Sequence, residues 1–303
     1  MSNLYEGPVI DAHHHLWDIS LGRHPWITSQ DSAIKALGDV SFLKRDYLIA
    51  DYLADIGPRN VVGSVYVEAA WDRSRDPLEE VTWVTSLERP RALASRLIAW
   101  AHLREPGVEA VLERLCRCPE VVGIRETIRW HPDPAKRWTE QGLIDDPAWR
   151  RGFAAFTGRG LVMEWLMNPY QAEEVTRLAA EFPEQIFIVN HCGTPVDRDA
   201  DGLQRWRDGL RQMGTRENIA IKVSNFSAYA PDRSIEGLRG TVMACIDAFG
   251  PKRSMFGTDY PVAKRSMIYQ ALCDSFKQIV SSFSPDEQRD LFHDNAARYY
   301  RFA

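Results

Sequence analysis

Eight short runs of apolar and β-branched residues recur along the whole chain, most of them followed by a longer stretch with helical periodicity. No other feature restricts the possible folds as much. The runs are VIDAHHHLW from Val9, VVGSVYVEAA from Val61, SRLIAWAHL from Ser95, VVGIRETI from Val121, LVMEWLM from Leu161, IFIVNHCG from Ile186, IAIKVSN from Ile219 and SMFGTDYP from Ser254. Most are apolar on both faces, as strands must be when helices cover one side and a packed interior covers the other. Segments such as PGVEAVLERLC, AEEVTRLAAEF, GLRGTVMACIDAF and MIYQALCDSFKQIV lie between them and repeat apolar residues three and four apart. Alternation of this kind builds a parallel sheet. Eight units in 303 residues predict an α/β fold, a (β/α)8 TIM barrel, with residues 1–303 as one domain. An open doubly wound sheet is the alternative, but no G-x-G-x-x-G or G-x-x-x-x-G-K-S/T motif follows any strand to favour it.

Composition then excludes several classes of partner. A net charge of -5 and a pI near 5.9 offer no basic face for nucleic acid or an anionic membrane, so a small molecule is the expected partner. No basic segment followed by an apolar core opens the chain, and no run approaches the roughly 18 apolar residues that span a bilayer, so a soluble, cytoplasmic protein is expected. The five scattered cysteines do not form a disulfide framework, and Cys116 with Cys118 lacks the second pair a zinc site needs. Oligomeric state, including a homodimer, stays open.

Chemistry concentrates where polar residues interrupt apolar strands. Side chains two apart on a strand share a face. Ile10 and Ala12 are read on the face of His14, toward the helices, which turns His13 and His15 to the barrel axis as a ready chelate for a divalent metal. Glu164, His191, Lys222 and Asp259 fall at the C-terminal ends of later strands, the level at which barrel enzymes build their sites. Burying charge there requires a partner or a metal. Glu164 is either a metal ligand or the structural ion-pair partner of a loop arginine, and Lys222 neutralises Glu164 or points outward, with a catalytic role as the other reading. A turn-forming Gly or Pro follows His191 and Asp259 and marks where their strands end. The irregular stretches from Ile19 to Asp39 and from His131 to Asp146 are expected to shape a pocket.

Together IDAHHHLWD, HPWI, GIRE, NHCGTP, IKVS, FGTDYPV and DNAARYY, in this order and spacing, resemble the amidohydrolase superfamily. Within it they are most similar to the amidohydrolase-2 branch that contains sugar-lactone and pyrone-dicarboxylate lactonases. The resemblance implies that His13 and His15 are the first-strand pair, His191 the sixth-strand histidine and Asp259 the eighth-strand aspartate that moves the proton of the attacking water. It also implies a metal set of His13, His15, Glu164 and Asp259 with one divalent ion, zinc first, or none. Arg125 stands where a bridging carboxylated lysine would sit, and Glu164 stands where many relatives have histidine, so two metals are not expected.

The activity so implied is hydrolysis of a small lactone, of sugar, muconolactone-like or pyrone-dicarboxylate type, with Asp259 and His191 catalytic. Arg125, Arg129, His131 and Lys222 are expected to bind the substrate, with Trp26, Trp165 and Tyr260 walling its ring. The rival chemistry is metal-dependent decarboxylation of an aromatic or unsaturated acid. Those relatives often carry an acid at the position of His13 and a Glu at that of Thr194, so this chain leans to hydrolysis. A binding protein that has lost its chemistry is the third reading, opposed by the complete set of His13, His15, His191 and Asp259.

Overall fold

The computed structural model describes residues 4–28, 39 and 41–302. Eight parallel strands, β1 (Val9–His14), β2 (Val61–Val67), β3 (Ala92–Ala99), β4 (Val121–Ile128), β5 (Val162–Met167), β6 (Phe187–Val189), β7 (Ile219–Val223) and β8 (Ser254–Phe256), pair in chain order. A helix follows each strand: α1 (Ile49–Ile56), α2 (Pro77–Ser86), α3 (Val108–Cys116), α4 (Pro147–Phe156), α5 (Ala172–Glu181), α6 (Ala200–Gly214), α7 (Ile235–Phe249) and α8 (Tyr269–Ile279). The open-sheet alternative falls because the first and last strands meet. Asp259 N donates to His13 O and His15 N to Tyr260 O, each at 2.7 Å, and close the (β/α)8 barrel. No helix of the described residues is long and apolar enough to cross a membrane.

Alternation along the strands sorts the core into two layers. Ile10, Ala12, Val65, Ile98, Ile188, Ala220 and Met255 form one cluster in the barrel interior. Residues of the opposite parity, such as Val9, Trp165, Phe187 and Ile221, join the much larger layer between strands and helices. Beyond α8 the chain runs through a helix at Pro285–Arg289 and a π-helical turn to a last helix, Asn295–Tyr300. Ala296 and Tyr300 enter the interior cluster. Asn295 Nδ2 reaches Ser254 O at the start of β8, and Arg301 reaches Val121 O at the start of β4, so this segment plugs the N-terminal mouth of the barrel.

One premise of the sequence reading needs correction. Ile10 and Ala12 face the interior, whereas His14 faces the helices, stacked 4.1 Å from Tyr52 with Nε2 2.9 Å from Ser64 Oγ. His13 and His15 still turn inward because the register of β1 against β2 slips between Asp11 and His14. Such an irregularity adds a residue to one strand and re-aims the side chains beyond it.

Candidate active site

The C-terminal mouth of the barrel holds a cavity of about 280 Å³, walled by His15, Trp26, Arg125, Arg129, Trp138, Leu166, His191, Asn225, Tyr229 and Asp259 among others. His13, fully buried, packs against three of these wall residues, His15, His191 and Asp259. His13 Nε2 is 3.3 Å from His15 Nε2, and Asp259 Oδ1 is 3.1 Å from His15 Nε2, 3.6 Å from His13 Nε2 and 3.8 Å from His191 Nε2. Residues 244 positions apart are thus drawn into one cluster, with His13, His15, His191 and Asp259 all present.

Local structure explains how each is held. Asp11 braces the seam: its carboxylate accepts from Thr258 N (2.9 Å), Thr258 Oγ1 (2.6 Å), Tyr52 Oη (2.7 Å) and His13 N (3.1 Å). That fixes β8 against β1 two positions before His13 and one before Asp259. Between them, Gly257 approaches so closely that a Cβ there would lie 3.1 Å from His13 Cβ. His191, Cys192, Thr194, Asn225 and Asp259 have φ between 50° and 64°, in the left-handed region that non-glycine residues seldom occupy. Strained backbone of this sort persists only where the surroundings over-determine it, and here it clusters around the cavity. Cys192 points away from the site through this turn. Its Sγ lies 3.6 Å from Ser224 O.

Electrostatics divides the cluster into neutral rings and a charged acid. Burial drives the His13 imidazole far below its usual range, with the Lys222 charge adding to the effect, and burial takes His191 to about 3 although Asp259 opposes it. Burial also works against the charge of Asp259, but His191, His15 and Arg125 outweigh it and hold the carboxyl below the ordinary range. Near neutral pH the site therefore presents neutral His13 and His191 rings and an ionised Asp259 carboxylate.

The donor set fits a divalent cation. His15 Nδ1 lies 2.8 Å from Val67 O, an acceptor, which assigns the proton to Nδ1 and leaves a lone pair on Nε2. That lone pair faces His13 Nε2 and the Asp259 carboxylate, an arrangement that calls for positive charge between them. His191 Nδ1 is likewise engaged by Ser224 Oγ at 2.9 Å, so Nε2 is the nitrogen turned toward Asp259. Ligand atoms of His13, His191 and Asp259 all lie within 4.8 Å of one another.

Glu164 stands apart from that group. Its oxygens take Lys222 Nζ at 2.6 and 2.8 Å, Asn190 Nδ2 at 2.8 Å and Tyr300 Oη at 2.7 Å, so of the two sequence readings the ion pair describes it and the ligand role does not. Lys222, fully buried in that pair, does not reach the cavity as a substrate-binding residue. Three further expectations need the same correction. Trp165 follows Glu164 on β5, so alternation sends it outward to stack on Phe187 at 6.0 Å. Tyr260 closes the seam with its backbone and donates its hydroxyl to Met267 O at 2.8 Å. His131 is turned to Asp197, 3.1 Å away.

Arg125, Arg129 and Trp26 do line the cavity, with different charge states around them. Arg125 is paired with Glu68, whose Oε1 lies 2.6 Å from Nη2 and 2.7 Å from Nε and whose other oxygen takes Arg73. Arg129 is buried, bonded to Asn168 Oδ1 at 3.2 Å and laid 4.3 Å over Trp138, with no carboxylate partner among the described residues. Sequence reasoning missed Glu68, Trp138, Asn225 and Tyr229. Glu68 carried the same signal as Glu164, a charge ending an apolar strand, and Trp138 sits in the loop expected to shape the pocket. Nothing in the sequence marked Asn225 or Tyr229.

Comparison with known proteins places this geometry in context. The profile of the family described as Amidohydrolase matches residues 10–302. An uncharacterised protein, y4mH, of Sinorhizobium fredii (strain NBRC 101917 / NGR234) is 33% identical over 294 residues, 97% of this chain and 98% of its own. An L-fucono-1,5-lactonase of Burkholderia multivorans (strain ATCC 17616 / 249) is 28% identical over 306 residues, 96% of this chain and 95% of its own. Among solved structures, an amidohydrolase from Burkholderia multivorans with bound zinc superposes with a TM-score of 0.80 at 24% identity, covering 98% of this chain and 100% of that one.

Proposed function

Because the chain belongs to the amidohydrolase family, we propose that it is a hydrolase that opens the ring of a small lactone, of the sugar-lactone type in the first instance. The observation that carries this reading is the ionised Asp259 carboxylate, buried in a cavity wall within 3.1–3.8 Å of three imidazole nitrogens.

Ester hydrolysis needs an activated water, stabilisation of the oxyanion and a proton for the leaving oxygen. Asp259 accepts the proton of a water in the cavity as that water adds to the lactone carbonyl carbon. His191, held by Ser224, keeps Nε2 directed at the reacting centre. Collapse of the tetrahedral adduct breaks the ring C–O bond, and the proton on Asp259 passes to the departing alkoxide. One lactone and one water yield one hydroxy acid, and the leaving group stays tethered. His13, His15, His191 and Asp259 would hold a divalent metal, zinc as in the similar Burkholderia multivorans structure, and such an ion supplies Lewis-acid polarisation and a more acidic water. Arg129, which has no carboxylate partner among the described residues, binds the substrate's oxygens or the carboxylate of the product, and Trp26 and Trp138 enclose the ring.

A pH-indicator screen over lactones, on protein of measured metal content before and after chelation, tests the reading. Acid release from at least one sugar lactone is expected, reduced on the order of 10²–10⁴-fold by Asp259→Asn. Carbon dioxide from aromatic acids with no acid from any lactone would overturn it, and an unchanged rate in Asp259→Asn would remove the assigned base.

A further inference from the structure

A second and larger cavity, of about 760 Å³, opens beside the first over the ends of β3 and β4. Arg125 and Trp138 line both, so the two meet at these residues. The proposed chemistry uses nothing else in it. Its cations are held in place: Arg73 and Arg125 share the carboxylate of Glu68, Arg104 pairs with Asp146 at 2.9 Å and with Glu140, and Arg137 donates to His131 O at 2.9 Å and Pro132 O at 3.1 Å.

What remains open are neutral hydrogen-bonding groups. Trp100 Nε1 and Thr139 Oγ1 are buried without a partner among the described residues, and buried polar atoms of this kind are normally satisfied. Glu126 faces the cleft with one oxygen taken by Trp149 Nε1 at 3.1 Å. Unpaired N–H and O–H groups, a carboxyl and a half-buried indole form a surface for a ligand rich in hydroxyls and C–H faces.

We propose that this cleft is a subsite for a sugar ring attached to the lactone in the catalytic cavity, so that the preferred substrate is a glycosylated aldonolactone. Burial lifts the Glu126 carboxyl to about 7, so it both donates and accepts near neutrality, which suits a hydroxyl partner. The substrate assignment rests on the lactonase reading, whereas the binding of a sugar ring here does not.

Calorimetric titration with open-chain acids separates the two. Maltobionate, cellobionate and lactobionate, each a sugar linked to gluconate, are compared with gluconate itself on the metal-characterised protein. At least one is expected to bind roughly tenfold tighter than gluconate, since two or three added hydrogen bonds support a difference of that size. Glu126→Gln and, independently, the loop substitution Thr139→Val should each remove about threefold or more of that advantage while leaving gluconate affinity unchanged. Equal affinity for all four acids, no binding by any of them, or a preference untouched by both variants would overturn the subsite. A preference that persists in a protein hydrolysing neither kind of lactone would sink the lactonase reading and leave the subsite standing.

Discussion

Glu126 and Arg129 lie three positions apart, one near the end of β4 and the other just past it, and each stores an electrostatic penalty with a measurable consequence. Burial raises the Glu126 carboxyl from its ordinary value to about 7 in the folded chain. A group whose folded value is raised leaves stability intact below its unfolded value, near 4.5, and withdraws it as pH climbs through about 7. Wild type should therefore lose about 2 kcal/mol more than Glu126→Gln between pH 5 and pH 8 in urea unfolding, at 1.36 kcal/mol per unit. Parallel pH profiles would refute the assignment. Arg129 is a buried guanidinium with no counter-charge among the described residues, a state tolerated where a ligand supplies it. Arg129→Met should stabilise the free protein by about 1 kcal/mol or more while raising KM at least tenfold, the exchange expected when a strained binding residue is removed. A variant that is destabilised with KM unchanged would instead make Arg129 a structural residue.

Three elements are tied together inside the barrel by the Glu164–Lys222 pair, which joins β5 to β7 and receives Tyr300 from the C-terminal helix. Removing one member of a buried pair leaves the other uncompensated, at a cost of about 3–5 kcal/mol, whereas replacing both by apolar residues of similar volume is often neutral. Glu164→Gln should accordingly lower stability by about that amount, and the double change Glu164→Met with Lys222→Met should restore most of it. Metal content should stay at the wild-type level in the double variant, because the metal-capable atoms belong to β1, β8 and the turn after β6. Loss of metal from the folded double variant would return Glu164 to the ligand set. The same scale explains β1. Its register slip turns two consecutive side chains, Ala12 and His13, to the interior, which strict alternation forbids.

For the molecule as a whole, the cluster stands on the seam that closes the barrel, so a bound cation would cross-link the first strand to the last. A ligand that binds only the folded state adds RT ln(1 + [L]/Kd), about 2.7 kcal/mol at a hundred times Kd. Zinc added to chelated protein should raise Tm by a few degrees, and His13→Ala should abolish the shift; a Tm indifferent to zinc would dissociate the seam from any metal. The sequence by itself determined the eight strand–helix units, their order, and the identities of His13, His15, His191 and Asp259, because periodicity and chain-breaking residues are local and survive in a linear reading. It also offered both fates of Glu164 without choosing. Tertiary structure decided that choice, the direction of His13, the outward turn of Trp165 and the place of Asn225 and Tyr229 in the wall. Each depends on which residue from a distant strand stands opposite, and that is set by register and closure, where one slipped residue exchanges inside for outside.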